Sequence, residues 1–249
     1  LIKLNKYKED SLTNFQIFLN KIKSNSDRPS SSLKLNLKNL IVDNFTISLY
    51  NESNIINVLK DFKLSASDLF MYKNSGNVDI NQLSFIDNYN LNITKINSDI
   101  LFNKSGLYVN NILLETPSST INGDIEVLNL NESSFLKNKL KIKLSNSKIS
   151  TNDVNLYYDI LINDEFIEFS SSLEGALADS LFGNLDFKFG SSSNAKIVFE
   201  LKDILNNIKI NTTINSFYTN YKDLTKFSEI SNYNIPKFLD STKFISLTG

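Results

Sequence analysis

The sequence contains no cysteine, no histidine and no tryptophan. Thiolate and imidazole metal ligands are therefore missing, and so are Ser-His-Asp and Cys-His nucleophile pairs. Arg28 is the single arginine, and acidic and basic residues cancel to a net charge of -1. Nucleic-acid binding draws on a basic patch with arginine forks, and that reading is set aside. No apolar run reaches the roughly 18 residues of a membrane helix, and no charged, apolar and small-residue leader opens the chain. Leu1 and the closing KFISLTG give the expectation of an internal segment, with targeting signals and anchors beyond it. Prolines number 3 and glycines 7, so asparagine is expected to supply many of the positive-φ turn positions, which it tolerates.

Hydrophobic residues make up 41% and charged residues 21% of the 249, the balance of a folded chain long enough to bury a sizeable core. Residues 1 to 32 are read as a leading amphipathic helix and polar linker. Leu12, Phe15, Leu19 and Ile22 recur at helical spacing after Asp10 or Ser11, and Pro29 blocks continuation,. The polar face of that helix is not a basic band, so a cap on the end of the sheet is expected over a membrane contact.

From residue 33 to about 220 the period is two. Leu33, Leu35 and Leu37 alternate with polar residues, as do Phe45, Ile47 and Leu49, and then Val78, Ile80, Leu83 and Phe85. The same rhythm puts Leu185, Phe187 and Phe189 on one side of a strand against Asp186 and Lys188. After a polar turn it puts Ile197, Phe199 and Leu201 on one side, and then Ile208 and Ile210. Such alternation marks strands with one apolar and one wet face. Turns every eight to twelve residues indicate a meandering antiparallel sheet. Residues 57 to 62 are read as a short helical turn, residues 154 to 162 as a strand, and Gly183 as a turn. The period is lost over residues 221 to 240, expected to be a helical or irregular bridge, and sheet restarts at Phe244.

Several stretches of this chain resemble the TamB and AsmA-like envelope proteins of the Bacteroidota type. DSLTNFQIFLNKIKS is similar to the family's short helix before a block of strands. GLYVNNILLETPSSTINGDIEVLN resembles its strand ending in Leu-x-Thr-Pro, its serine-rich step and its Ile-x-Gly strand. The run from LEGALADSLFGNLDFKFGSSSNAKIVFEL to YKDLTKF resembles its glycine-serine corner, Thr-rich stretch and Asp-Leu-x-Lys helix start. NIPKFLDSTKFISLTG is similar to its proline-leucine bridge into a new strand.

The resemblance implies an all-β fold: an elongated, partly open antiparallel β-groove, the β-taco, with a short N-terminal helix. It further implies a periplasmic segment spanning between the inner and outer membranes of a diderm bacterium, carrying phospholipids along an apolar interior and supporting outer-membrane biogenesis. Expected partners are a phospholipid or other acyl lipid, an outer-membrane barrel of the assembly machinery, and the inner membrane through an anchor outside this segment. No cofactor, no metal and no catalytic residue is expected.

Lipid tails would lie against Leu185, Phe187, Phe189, Ile197, Phe199, Leu201, Ile208 and Ile210. At about 0.8 kcal/mol per methylene, a phospholipid with roughly thirty tail methylenes faces on the order of 25 kcal/mol to cross water bare, which an apolar wall removes. About fifteen strands at ~4.8 Å would give about 70 Å of path.

Periodicity alone fits a closed sandwich or barrel core as well as a trough. The alternative is a structural β-sandwich or adhesin-like protein-interaction module, whose mark would be a repeat of fixed length. The sequence shows only loose recurrence. Asp153, Asp159, Asp164, Glu165 and Glu168 could bind Ca²⁺ or act as acid and base on a glycan, but alternation scatters them over loops and the wet face. Tyr157 and Tyr158 are expected on a strand, one packed and one exposed.

Overall fold

In a computed structural model the described residues are 2–6, 34–51, 54–130, 135–158, 164–204, 207–231 and 244–248. They form one open all-β sheet with two short α-helices and a 3-10 turn. The strands are β1 (Ile2–Lys6), β2 (Lys34–Asn51), β3 (Asn54–Tyr72), β4 (Ser75–Ile86), β5 (Asn92–Phe102), β6 (Gly106–Glu115) and β7 (Thr120–Leu128). After the 3-10 turn Phe135–Lys137 comes β8 (Lys139–Ser150), followed by helix α1 (Thr151–Asn155). Then come β9 (Phe166–Ala176), β10 (Ser180–Phe189), β11 (Ser193–Lys202), β12 (Lys209–Asn220), helix α2 (Tyr221–Ser231) and β13 (Phe244–Thr248).

Spatial order follows chain order from β1 to β13, so every strand pairs with its sequence neighbours. All the pairings are antiparallel except β1 with β2, which is parallel. Thirteen strands at ~4.8 Å give about 60 Å across the ladder, less than the fifteen-strand expectation. Two long strands account for the difference: β2 and β3 have 18 and 19 residues and absorb segments whose patterns read as separate. The substantial contacts of each described element are with its neighbours in the sheet, α1 resting on β8 and α2 on β12. No described element forms a second layer.

The strands keep one apolar face through their full length because they carry bulges where the period slips. In β6 the apolar series runs Leu107, Val109, then Ile112, Leu114, with an extra residue between Val109 and Ile112. Asn111 supplies it at φ 54. In β8 the series Leu140, Ile142, Leu144 resumes at Ser147 and Ile149 around Asn146 at φ 47. Asn44 in β2 and Asp61 and Asp68 in β3 do the same at φ 55, 52 and 50. A bulge puts two residues opposite one and bends the strand. Left-handed φ is cheap for Asn and Asp because the short polar side chain bonds locally. Asparagine takes positive φ at the turn positions Asn90 and Asn129, as expected, but also at bulges inside strands, which the sequence reading did not anticipate.

Three segments differ from the sequence reading. Residues 57 to 62 are extended, since Val58 and Leu59 pair with Ser48 and Ile47 of β2 and ladder bonds outweigh local helix preference. Residues 151 to 155 are helical, because the Ser150 side chain accepts from the Asn152 N–H as an N-cap,; Tyr157 and Tyr158 follow in a turn. Gly183 is not a turn but lies inside β10, opposite Phe199. The helix expected over residues 11 to 22 lies outside the described residues. The bridge contains α2, and β13 begins at Phe244.

Candidate functional site

Directly opposed residues in an antiparallel pair share a face, so the registers can be followed across the sheet. Val78, Ile100, Val109, Ile125, Ile142, Leu173, Gly183 and Phe199 stand opposite one another in turn from β4 to β11. A second row runs Phe102, Leu107, Val127, Leu140, Gly175, Leu181, Leu201 and Ile210. The opposite face carries cross-strand charges such as Lys148, Glu168 and Lys188. It also carries the pair Lys196 to Asp186 at 3.6 Å.

Seven of the eight residues proposed to line a groove belong to this apolar face. Leu185 stands opposite Ile197, and Leu201 stands opposite Ile210. The Phe187 and Phe189 rings stack at 6.0 Å. The Phe199 ring covers Gly183, where an added Cβ would come within 2.4 Å of it. Leu185, Phe187, Phe189, Ile197, Phe199 and Leu201 are half-buried, while Ile210 is 60% exposed. Ile208, 52% exposed, precedes β12 and is not held in the ladder.

Among the described residues the fully buried apolar side chains are Ala66, Ile93, Val127, Leu181 and Ala195. A second layer of sheet or helix would bury most of both rows. Among the described residues most of both rows stay only half-buried.

Among the described residues the largest side chains closed almost completely to water are Thr219, Asp223, Ser147, Ser150 and Ser193, all polar and all in or near one rim. Because the chain meanders, the connections β4–β5, β6–β7, β8–β9, β10–β11 and β12–β13 share a rim with both helices, here the helix rim. The connections β3–β4, β5–β6, β7–β8, β9–β10 and β11–β12 form the opposite turn rim.

On the helix rim, Asp223 in the first turn of α2 is 1% exposed and is held by the β10–β11 hairpin. Its carboxylate accepts from the N–H groups of Ser191 and Ser192 at 3.0 Å and from Ser193 Oγ at 2.8 Å. Asn220 Oδ1 accepts from the Asp223 N–H at 2.7 Å, capping the helix. Gly190, at φ +60, leaves room for the carboxylate, which an added Cβ would meet at 2.4 Å. Burial pushes this carboxyl upward, but the bonds from Ser191, Ser193 and Ser192 outweigh it and hold Asp223 below the ordinary carboxylate value,.

Asp153, in the first turn of α1, is held the same way. It accepts from Thr116 Oγ1 at 2.5 Å and from Ser119 Oγ, in the β6–β7 hairpin. Ser119 and Ser193 are 74 residues apart, and Asp153 and Asp223 are 70 apart. Strands β5 to β8 with α1, and β9 to β12 with α2, are thus successive instances of one arrangement. Each has four strands, then a helix whose third residue is an aspartate clasped by the middle hairpin.

The remaining carboxylates do not converge. Asp164 accepts from Asn152 Nδ2 at 2.8 Å, Glu165 pairs with Lys226, and Glu168 lies between Lys148 and Lys188. Asp159 lies outside the described residues. Among the described residues no three metal-ligating side chains come together, and no helix is long and apolar enough to cross a membrane.

Tyr157 packs on Tyr89 at 4.7 Å and donates to Asp87. Burial, and then that bond, push its hydroxyl up to about 12. Tyr158 is 71% exposed.

Clefts of about 450 and 500 Å³ open on the charged face. Lys148, Glu168, Asp186 and Lys188 line the first of these, and Asp124, Glu126, Lys141 and Lys143 line the second. Their charges neutralise one another across the strands.

The sequence reading missed both clasps. The Ser150-x-x-Asp153 and Asn220-x-x-Asp223 spacings resemble capping boxes and were the available signal,. Comparison with known proteins places the chain in no group: no family model, no curated protein and no solved structure matches it.

Proposed function

We propose that this chain is a segment of an envelope protein of the TamB and AsmA-like kind, conducting phospholipids between the membranes of a diderm bacterium. The observation that carries the reading is the apolar face itself, continuous over the rows from β4 to β12 and left without a second layer among the described residues. Acyl chains take the place such a layer would occupy. Bulges in β2, β3, β6 and β8 bend the strands and support a sheet curled along its length into an open groove. Tails slide along this wall with no hydrogen bond to break, so no single residue is essential and the protein is not an enzyme. The periplasmic location and a barrel partner rest on the resemblance alone.

The test is lipid capture. The purified chain is expected to carry phospholipid detectable by mass spectrometry. Phe187→Asp or Phe199→Asp, each placing a carboxylate on the apolar face, should abolish that capture while the circular dichroism of the sheet persists. Unfolding of both variants would instead mark a sealed core and support the β-sandwich or adhesin-like alternative.

A further inference from the structure

The two rims differ in charge. The turn rim carries lysines at strand ends or in four of its five connections: Lys34 at the start of β2, then Lys73, Lys104, Lys137, and Lys202 with Lys209. Against them stand Asp179, Asp203 and Glu200 among the described residues of that rim, where Lys139 at the start of β8 pairs with Glu174. The helix rim carries Asp87, Glu115, Asp153, Asp164, Glu165 and Asp223 against Lys222, Lys226 and Lys95, which stands opposite Glu115. The single layer of strands is thus positive along one long edge and negative along the other.

Successive connections on one rim are two strand spacings apart, about 10 Å. That is about one screening length at physiological salt, so neighbouring lysine potentials merge into a strip. Lys202 pairs with Glu200 at 3.0 Å and Lys209 with Asp203 at 2.6 Å. Lys34 and Lys73 lie over the Phe70 and Tyr72 rings, 5.9 and 5.2 Å from the centroids. Lys34, Lys73, Lys104 and Lys137 are exposed. The register puts the Phe70 and Tyr72 rings on the charged face, opposite Asn77 and Ser75, so the Lys34 and Lys73 ammonium groups reach the rim from that side.

We propose that the turn rim is the headgroup track: its lysines hold the anionic phosphate of a phospholipid whose acyl chains lie on the apolar face. The inference rests on the lipid reading above and adds polarity to it. Heads sit toward the turn rim, because the helix rim repels phosphate and has its serine N–H and hydroxyl donors already committed to Asp153 and Asp223.

The experiment uses the intact chain with two acyl-labelled probes of identical tails, a phosphatidylglycerol and a diacylglycerol, followed by fluorescence anisotropy at low and high salt. The combined variant Lys34→Gln, Lys73→Gln, Lys104→Gln and Lys137→Gln should weaken phosphatidylglycerol binding by about fivefold, the scale of one surface ion contact. Diacylglycerol binding should stay unchanged. High salt should reproduce the loss in the unmodified chain. Lysine-to-arginine changes at the same four positions should retain affinity, as should the control pair Lys141→Gln and Lys143→Gln on the charged face.

An unchanged phosphatidylglycerol affinity in the combined variant would overturn the track, as would an equal loss from the control pair or a parallel loss of diacylglycerol. If the unmodified chain binds neither probe, the lipid reading itself fails, a result distinct from binding both without regard to charge or salt.

Discussion

The apolar face and the helix rim invert the usual layout of a folded domain. Across the face most described apolar side chains from β4 to β12 are half-buried, and five apolar side chains reach full burial in the described chain. At the rim, Thr219, Asp223, Ser147, Ser150 and Ser193 are the largest side chains excluded almost completely from water. Polar groups are this well enclosed only when their bonding capacity is filled, and at Asp223 it is. The difference separates two tasks: backbone ladders and clasps hold the shape, while the oily surface is left for something other than holding it.

The comparison can be broken at the rim with the largest effect. Asp223→Ala strands the N–H groups of Ser191 and Ser192 and the Ser193 hydroxyl, and should lower stability by about 3 kcal/mol, read from the urea midpoint. A loss below about 1 kcal/mol would put the stability elsewhere. Acid gives a gentler version. The folded carboxyl of Asp223 titrates below its ordinary value of 3.8, so the unfolded chain binds its proton first. The clasp's contribution is therefore full above that value and is lost as pH falls through the lower, folded one. Acid titration of the unmodified chain should show this loss, and Asp223→Asn should flatten the corresponding limb of the stability curve. On the face, Ile142→Ala should cost about 1 kcal/mol, against the 2–5 typical of a sealed core. A cost at the upper end of that range would show that the face is covered after all.

Much of the sheet was legible because period two is a direct reading of which side chains share a face. Val78, Ile80, Leu83 and Phe85 even display the slip of a bulge within four residues. Residues 57 to 62 misled because local helix preference says nothing of a partner strand waiting at Leu49 and Ser48. Residues 154 to 158 misled because alternating Val154, Leu156 and Tyr158 resemble a strand, while the deciding cap at Ser150 lies before them. The clasps were the least legible feature. Each joins residues at least 30 positions apart, Ser193 with Asp223 and Ser119 with Asp153, and no periodicity reports such a meeting. The apolar lining was readable strand by strand, but whether anything covered it was not, since a closed core and an open face use the same alphabet.

Sequential strand order has a consequence for how such a molecule comes into being. Each antiparallel strand finds its partner immediately before it in the chain, so loop-closure costs stay small and no distant segment must arrive before growth continues. Assembly can proceed like a zip, hairpin by hairpin, on a template already standing. A polypeptide emerging end-first could therefore lay itself down in the order of its arrival, with no final closing step to wait for.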